Sequence, residues 1–272
     1  MDTNIGAKER VTQNRLIGLF KNVLKYTYLG NWETREGNAN IEETLLMAYL
    51  SRRSYTDKEI RSAIAKFKQA ANSLGGGLYN ANKEVYTLLR YGVNVQAEVT
   101  EKKKMVHLID WANPMENDFQ IAEEVTIQGE SDRRPDLVVY VNGIALAVIE
   151  LKRSTVSAHE GIRQNIRNQQ DGYIPRFFTT IQLLFAGNDT EGLHYGVIKT
   201  PEKFWLRWKE PCGEPCKPSR FTAEEYPNEL DRSVLQFFDP VRLLEYIHDF
   251  IIFDGGIKKA ARPNQYFAVK AA

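Results

Sequence analysis

Up to residue 92 the apolar positions of the chain recur at three- and four-residue intervals, and from residue 93 they alternate. The first regime belongs to helices with one buried face, the second to strands. Leu16, Ile17, Phe20, Val23 and Leu24 predict a helix over 11–28, after a polar and mobile start over 1–10. The breaker-rich stretch 30–40 predicts a loop. Asn40 would then cap a helix over 41–52, with Leu45, Leu46, Tyr49 and Leu50 on its inner face. Thr56 and Asp57 open a third helix, to Asn72, along Ile60, Ile64 and Phe67. After a break at 75–77, a shorter helix over 81–91 stops at Gly92.

Val93, Val95, Ala97 and Val99 alternate with polar residues and predict a half-buried strand; 105–111 and 119–128 predict two more. Two apolar runs follow, 137–141 and 144–151, joined by Asn142 and Gly143, a strong hairpin signal. The sheet should therefore begin antiparallel. Ser157 can cap a helix running to about Gln170, and the strand after that crossover, 177–186, should pair in parallel before 194–198 returns. Phe204, Trp205 and Trp208 read as core or interface, 211–218 as loop, and 241–250 as a helix ended by Gly255 and Gly256. The expected architecture is a mixed α/β domain over 1–254: a helical part, 11–92, packed around a central sheet core, 93–198, flanked by helices.

Composition narrows the function classes. A chain of 272 residues can bury a substantial core as one large or two small domains. Its net charge of +1 argues against an indiscriminate polyanion binder, though a local basic groove can still hold DNA. Cys212 and Cys216 have no histidine close by in sequence; they are two ligands short of a structural zinc site and fit a reducing compartment. With no leader and no long apolar run, a cytoplasmic protein with no membrane partner is expected. The glycines at 75–77 do not continue into a phosphate-binding loop.

Candidate chemistry collects at the open end of the hairpin. Asp136 enters the first run, Glu150 leaves the second, and Lys152 follows two residues later, on the same strand face as Glu150. Mg²⁺ prefers oxygen ligands, often one or two carboxylates with waters and substrate phosphate oxygens completing the shell. A neighbouring ammonium stabilises developing negative charge. The plainer alternative for three such residues is a salt-bridged strand end. Register separates the two. A strict two-residue turn pairs Val141 with Ile144 and, by extension, Pro135 with Glu150, which turns Asp136 away. A metal site requires a one-residue offset, most simply a bulge with Gly143 at positive φ, or a break at Pro135 and Asp136.

Pro135-Asp136 followed by Glu150-Leu151-Lys152 resembles the motif of the PD-(D/E)xK nuclease superfamily. The wider context resembles the N-terminal part of the restriction (R) subunit of type I restriction-modification enzymes. The likeness lies in NWETREGNANIEE (31–43), VHLIDW (106–111), RRPDLVVYVNGIALAVIELKR (133–153), IRNQQ (166–170), FAGNDTEGLHYGVI (185–198), IHDFIIFDGGIKK (247–259) and RPNQYFAVKAA (262–272), nearly the whole chain.

The resemblance implies a restriction-endonuclease-like fold and a Mg²⁺-dependent DNA endonuclease. Asp136 and Glu150 would be metal ligands and Lys152 would act at the phosphate. Glu42, on an early helix that resembles the family's, would assist the metal; Glu43 is its neighbour, and favourable charge at a helix start is the plainer role for both. Arg153, Arg163, Arg167, Gln169 and Tyr173 become candidates for double-stranded DNA contact, the last two through a Q-x-x-x-Y spacing. On α-helical grounds alone Arg163, Gln164, Arg167 and Gln169 read as a solvated face. Gln265, in a stretch that resembles the glutamine motif of superfamily 2 helicases, would read adenine, so 255–272 is expected as a linker to an ATP-driven motor. No ATP hydrolysis is expected from this chain. Modification and specificity subunits would be its partners. The rival is a non-catalytic module of the same fold that binds DNA or docks the motor.

Overall fold

A computed structural model describes residues 5–96, 102–211 and 220–272. In chain order the elements are α1 (Ile5–Asn22), β1 (Thr27–Asn31), α2 (Glu43–Ser51), α3 (Asp57–Asn72), α4 (Gly77–Tyr91), β2 (Val93–Val95), β3 (Lys104–Val106), β4 (Phe119–Glu123), β5 (Leu137–Val141) and β6 (Ile144–Leu151). There follow α5 (Ala158–Asn168), β7 (Leu183–Asn188), β8 (Gly192–Gly196), β9 (Leu206–Arg207), α6 (Glu229–Phe237), α7 (Pro240–Asp249), β10 (Ile251–Asp254), β11 (Ile257–Ala260) and α8 (Pro263–Ala271).

Seven strands form one mixed sheet in the order β1-β4-β5-β6-β7-β8-β9. β1 runs parallel to β4 and β6 parallel to β7; the other neighbours are antiparallel. The parallel step from β6 to β7 is made by α5, as a crossover requires. Every residue of β5 and β6 is buried, because helices cover both sheet faces. One face carries Leu137, Val139, Val141, Ile149 and Leu151 into a core shared with Leu16 and Phe20 of α1 and Phe237 and Phe238 around α6. The opposite face carries Val138, Tyr140, Val148 and Ala186 against Ile162 of α5 and the Phe177–Phe178 turn.

The local signals hold where they are strong. Thr56 accepts the Glu59 N–H and Glu59 accepts the Thr56 N–H, a capping box that starts α3. Ser157 caps α5 by accepting the His159 N–H, and Gly92 ends α4 at φ +89°.

Elsewhere long-range pairing overrides the local pattern. The first helix begins at Ile5 and ends at Asn22, not at 28; Lys25 turns the chain at φ +62°, and Thr27–Asn31 joins the sheet beside β4. Asn40 does not cap α2: its amide donates to Arg176 O and Thr179 Oγ1, and Glu42 occupies the cap position. The strand expected over 105–111 is only Lys104–Val106, paired with β2 in a separate two-stranded ribbon. Ala97 and Val99, and both cysteines, lie outside the described residues. β4 stops at Glu123 because Glu124 takes φ +50°. The helix α6 and the strand β9 had no expectation. The stretch 255–272, expected as a linker, instead forms β11 and α8, with Tyr266 and Phe267 packed against Trp208.

Candidate active site

The β5–β6 hairpin turns through Asn142 at φ +54° and Gly143 at φ +79°, the paired positive angles of a tight type I′ turn. Gly143 is required twice over: a Cβ there would stand 2.7 Å from Leu45 Cβ and 2.8 Å from Glu42 O. Val141 pairs with Ile144 and Tyr140 with Ala145, but Val139 pairs with Ala147, so Leu146 is an extra residue on β6. Leu146 and Ala147 accordingly sit on the same face, where strict alternation would separate them. Beyond the bulge Leu137 pairs with Ile149. One step further, that register sets Asp136 opposite Glu150, both on the face that α5 covers. The required offset is therefore present, with Gly143 at positive φ, but the extra residue lies within β6 and not in the turn.

Helix α5 approaches this end of the sheet closely. A Cβ on Gly161 would stand 3.1 Å from Ala186 Cβ and 3.3 Å from Glu150 Cβ. One turn on, Gln164 Nε2 donates to Glu150 Oε2 at 2.7 Å. Glu150 Oε1 is buried and has no hydrogen-bond partner among the described residues. Asp136 Oδ2 accepts the Leu151 N–H at 2.6 Å. Lys152 Nζ donates to Leu151 O at 2.9 Å and to Glu9 Oε1 at 3.2 Å.

The electrostatics follow from burial. Burial pushes the Asp136 carboxyl up to about 6; Lys152 and the Leu151 N–H pull against it, while Glu9 and Glu124 add to the rise. Burial, and then the Asp136 charge beside it, push Glu150 well above the carboxylate range. Burial opposes the charge on Lys152, yet Asp136, Glu150 and Glu9 outweigh it and raise its pKa. Two carboxyls that repel one another, one with an orphaned oxygen, suit a divalent cation that would neutralise both. Among the described residues no three His, Cys, Asp or Glu side chains are grouped to hold a metal.

Glu42 is not part of this group. Its N–H donates to Gly143 O, at the turn end of the hairpin, about 20 Å along the strand from Glu150 at the usual rise per residue. Its carboxylate receives Arg35 on both oxygens. Glu43 pairs with Lys68 on the surface. The early helix that does reach the site is α1, which carries Glu9 to Lys152 and Gln13 to Glu123 and Asp136 O. Sequence reasoning missed Glu9 because α1 begins within a stretch with no apolar period, where the run of helix formers Ala7 to Arg10 was the signal; Gln13 fell inside the expected helix but carried no chemistry that marked it.

Of the DNA-contact candidates, Arg153 follows the site directly and its Nε is buried without a partner among the described residues. Arg163 is exposed but bound to Glu160 and Glu202, and Arg167 is exposed on the next turn. Gln169 is turned inward, where it accepts the Lys199 N–H and donates to Asn165 O. Tyr173 stacks under Arg133, with the guanidinium 4.2 Å from the ring centre, and lines a different cleft shared with Glu42. Gln265 accepts the Arg262 N–H at the start of α8 and lines a cavity with Lys199, Lys203, Trp205 and Lys259.

The chain matches the family described as the type I restriction enzyme R protein N terminus over residues 6–203. A provisionally named type I restriction enzyme MjaIXP endonuclease subunit from Methanocaldococcus jannaschii is 26% identical over 97% of this chain and 27% of its own length. The type I restriction enzyme HindI endonuclease subunit from Haemophilus influenzae is 29% identical over 75% of this chain and 20% of its own. The type I restriction enzyme SauMSSORF170P endonuclease subunit from Staphylococcus aureus is 24% identical over 63% and 18%. The chain thus spans about a quarter or less of the relatives it matches. The matched region contains all but the first residue of α1, the β5–β6 hairpin and α5, and the chain belongs to the family of type I restriction enzyme R protein N termini.

Proposed function

We propose that this chain is the DNA endonuclease domain of a type I restriction enzyme R subunit, with a restriction-endonuclease-like fold and Mg²⁺-dependent phosphodiester hydrolysis. The observation that carries the reading is the Leu146 bulge, which brings Asp136 to the Glu150 face of the sheet, at the end where Lys152 leaves it. The relatives' names, endonuclease subunits of type I restriction enzymes, support the same reaction.

Asp136 and Glu150 would hold Mg²⁺. When bound, the cation supplies polarisation of the scissile phosphate and a more acidic attacking water. The protein's own groups do the rest. Glu150 would give up the proton that burial favours as the cation is taken up, while Asp136 meets it largely ionised at neutral pH. Gln164 fixes one Glu150 oxygen and leaves the other free. Lys152 stays protonated and meets the negative charge that grows on the phosphate oxygens. Arg153 and Arg167 would contact backbone phosphates of double-stranded DNA, which positions the duplex without reading bases. Arg163 would have to exchange Glu160 and Glu202 for phosphate.

Sequence recognition then belongs to modification and specificity subunits. In a polypeptide of the relatives' length, cutting would be coupled to ATP-driven translocation, with Gln265 reading adenine. Among the described residues no helix is long and apolar enough to cross a membrane, and we place the protein in the cytoplasm with its DNA. The test uses the full-length subunit assembled with its partners. Asp136→Ala and Lys152→Ala should abolish cutting while ATP hydrolysis persists; undiminished cutting by both would leave a DNA-binding or motor-docking module.

A further inference from the structure

We propose that Glu9 is a positioning residue for Lys152: its carboxylate fixes the ammonium so that one N–H is left for the substrate phosphate. The inference rests on the endonuclease reading above.

A lysine ammonium is a point charge on a flexible stem with three donors and no built-in direction. Here two of the three are spent on acceptors from different elements. Leu151 O, at the end of β6, takes one at 2.9 Å, and Glu9 Oε1, from α1, takes another at 3.2 Å. Neither Asp136 nor Glu150 takes a hydrogen bond from Nζ; they act on it through charge. The carboxylate that orients the ammonium is therefore separate from the two that would hold a cation. The Lys152 side chain is only 17% exposed and Glu9 30%, so solvent and salt screen the pair less than a surface ion pair.

Glu9 can hold a direction only if α1 is itself fixed, and α1 is anchored from Thr12 to Phe20. Leu16 and Phe20 are fully buried. Arg15 pairs with Asp189 and Asp231, and Thr12 donates to Asp189. Gln13, one turn after Glu9 and on the same helix face, donates to Glu123 and to Asp136 O. The same face of α1 thus touches the backbone of one site residue and the side chain of another.

The test compares Glu9→Ala and Glu9→Gln in the full-length subunit assembled with its partners, with Lys152→Ala alongside. Cleavage kcat and KM, Mn²⁺ affinity and Tm are measured. Glu9→Ala should lower kcat about 10- to 100-fold with KM for DNA and Mn²⁺ affinity unchanged, the usual cost of losing a supporting contact. Glu9→Gln keeps an acceptor oxygen and should recover most of kcat. Should Glu9→Ala fail to fold, Glu9→Asp, one methylene too short, carries the test with the same expected fall in kcat. Unchanged kcat in these variants, or a loss of Mn²⁺ affinity, overturns the proposal; the second result would make Glu9 a cation ligand. Wild-type cutting by Lys152→Ala would instead overturn the endonuclease reading itself.

Discussion

Asp136 stands opposite Glu150 because β6 spends one more residue than β5 between the turn and the site. With the extra residue Leu146, Asp136 shares a face with Val138 and Tyr140, and Glu150 with Val148, both under α5. Without it the two carboxyls would lie on opposite sides of the sheet.

Asp136→Asn should stabilise the apo protein at neutral pH. A carboxyl raised to about 6 contributes stability that is present below its unfolded pKa, near 4, and is lost as pH rises through 6. Asn keeps an acceptor for the Leu151 N–H without the charge. The gain, about 1–3 kcal/mol, should appear in thermal melts at pH 7.5 and shrink to about a third of that at pH 4.5. An equal gain at both values would show that Asp136 carries no raised pKa.

Gln164→Ala leaves Glu150 without its hydrogen bond from α5. Both Mn²⁺ affinity and cleavage should fall about 10- to 100-fold, with Tm within a few degrees of wild type. Titration calorimetry with Mn²⁺ checks the first part; wild-type affinity would mean that the carboxylate needs no support.

Glu42→Ala should leave Mn²⁺ affinity and cutting within twofold of wild type, because Glu42 lies at the far end of the hairpin. It should cost about 1 kcal/mol of stability through the lost Arg35 pair. A large loss of metal binding in this variant would mean that the site is built around a different end of the sheet.

Gly143→Ala tests the turn. The positive φ and the approach of Leu45 and Glu42 O leave no room for a methyl group. Urea unfolding should show a loss of about 2 kcal/mol or more. A neutral result would mean that α2 is free to shift away from the hairpin.

The need for a one-residue offset between the turn and Asp136 was legible in the sequence, since parity along a strand is a counting argument. Its location was not. Both faces of β6 are buried, so Leu146 and Ala147 are apolar whichever way they point, and no break in alternation marks the bulge. The capping box of α3 and the crossover helix were legible because their signals are local. β1 was hidden behind a helical stripe that runs through Leu24; what makes Thr27–Asn31 a strand is β4, far along the chain. Glu42 was misplaced for a related reason. A helix start shows in sequence, but which end of a sheet it packs on does not.

The proposed cation site lies between Asp136 and Glu150. Crystals soaked in Mn²⁺ test it without DNA or partner subunits. An anomalous peak should appear within coordinating distance of a carboxylate oxygen of each residue, with Lys152 nearby, absent in Asp136→Asn and removed by chelator. Density that shows the two side chains facing apart, with no peak between them in saturating Mn²⁺, would contradict it.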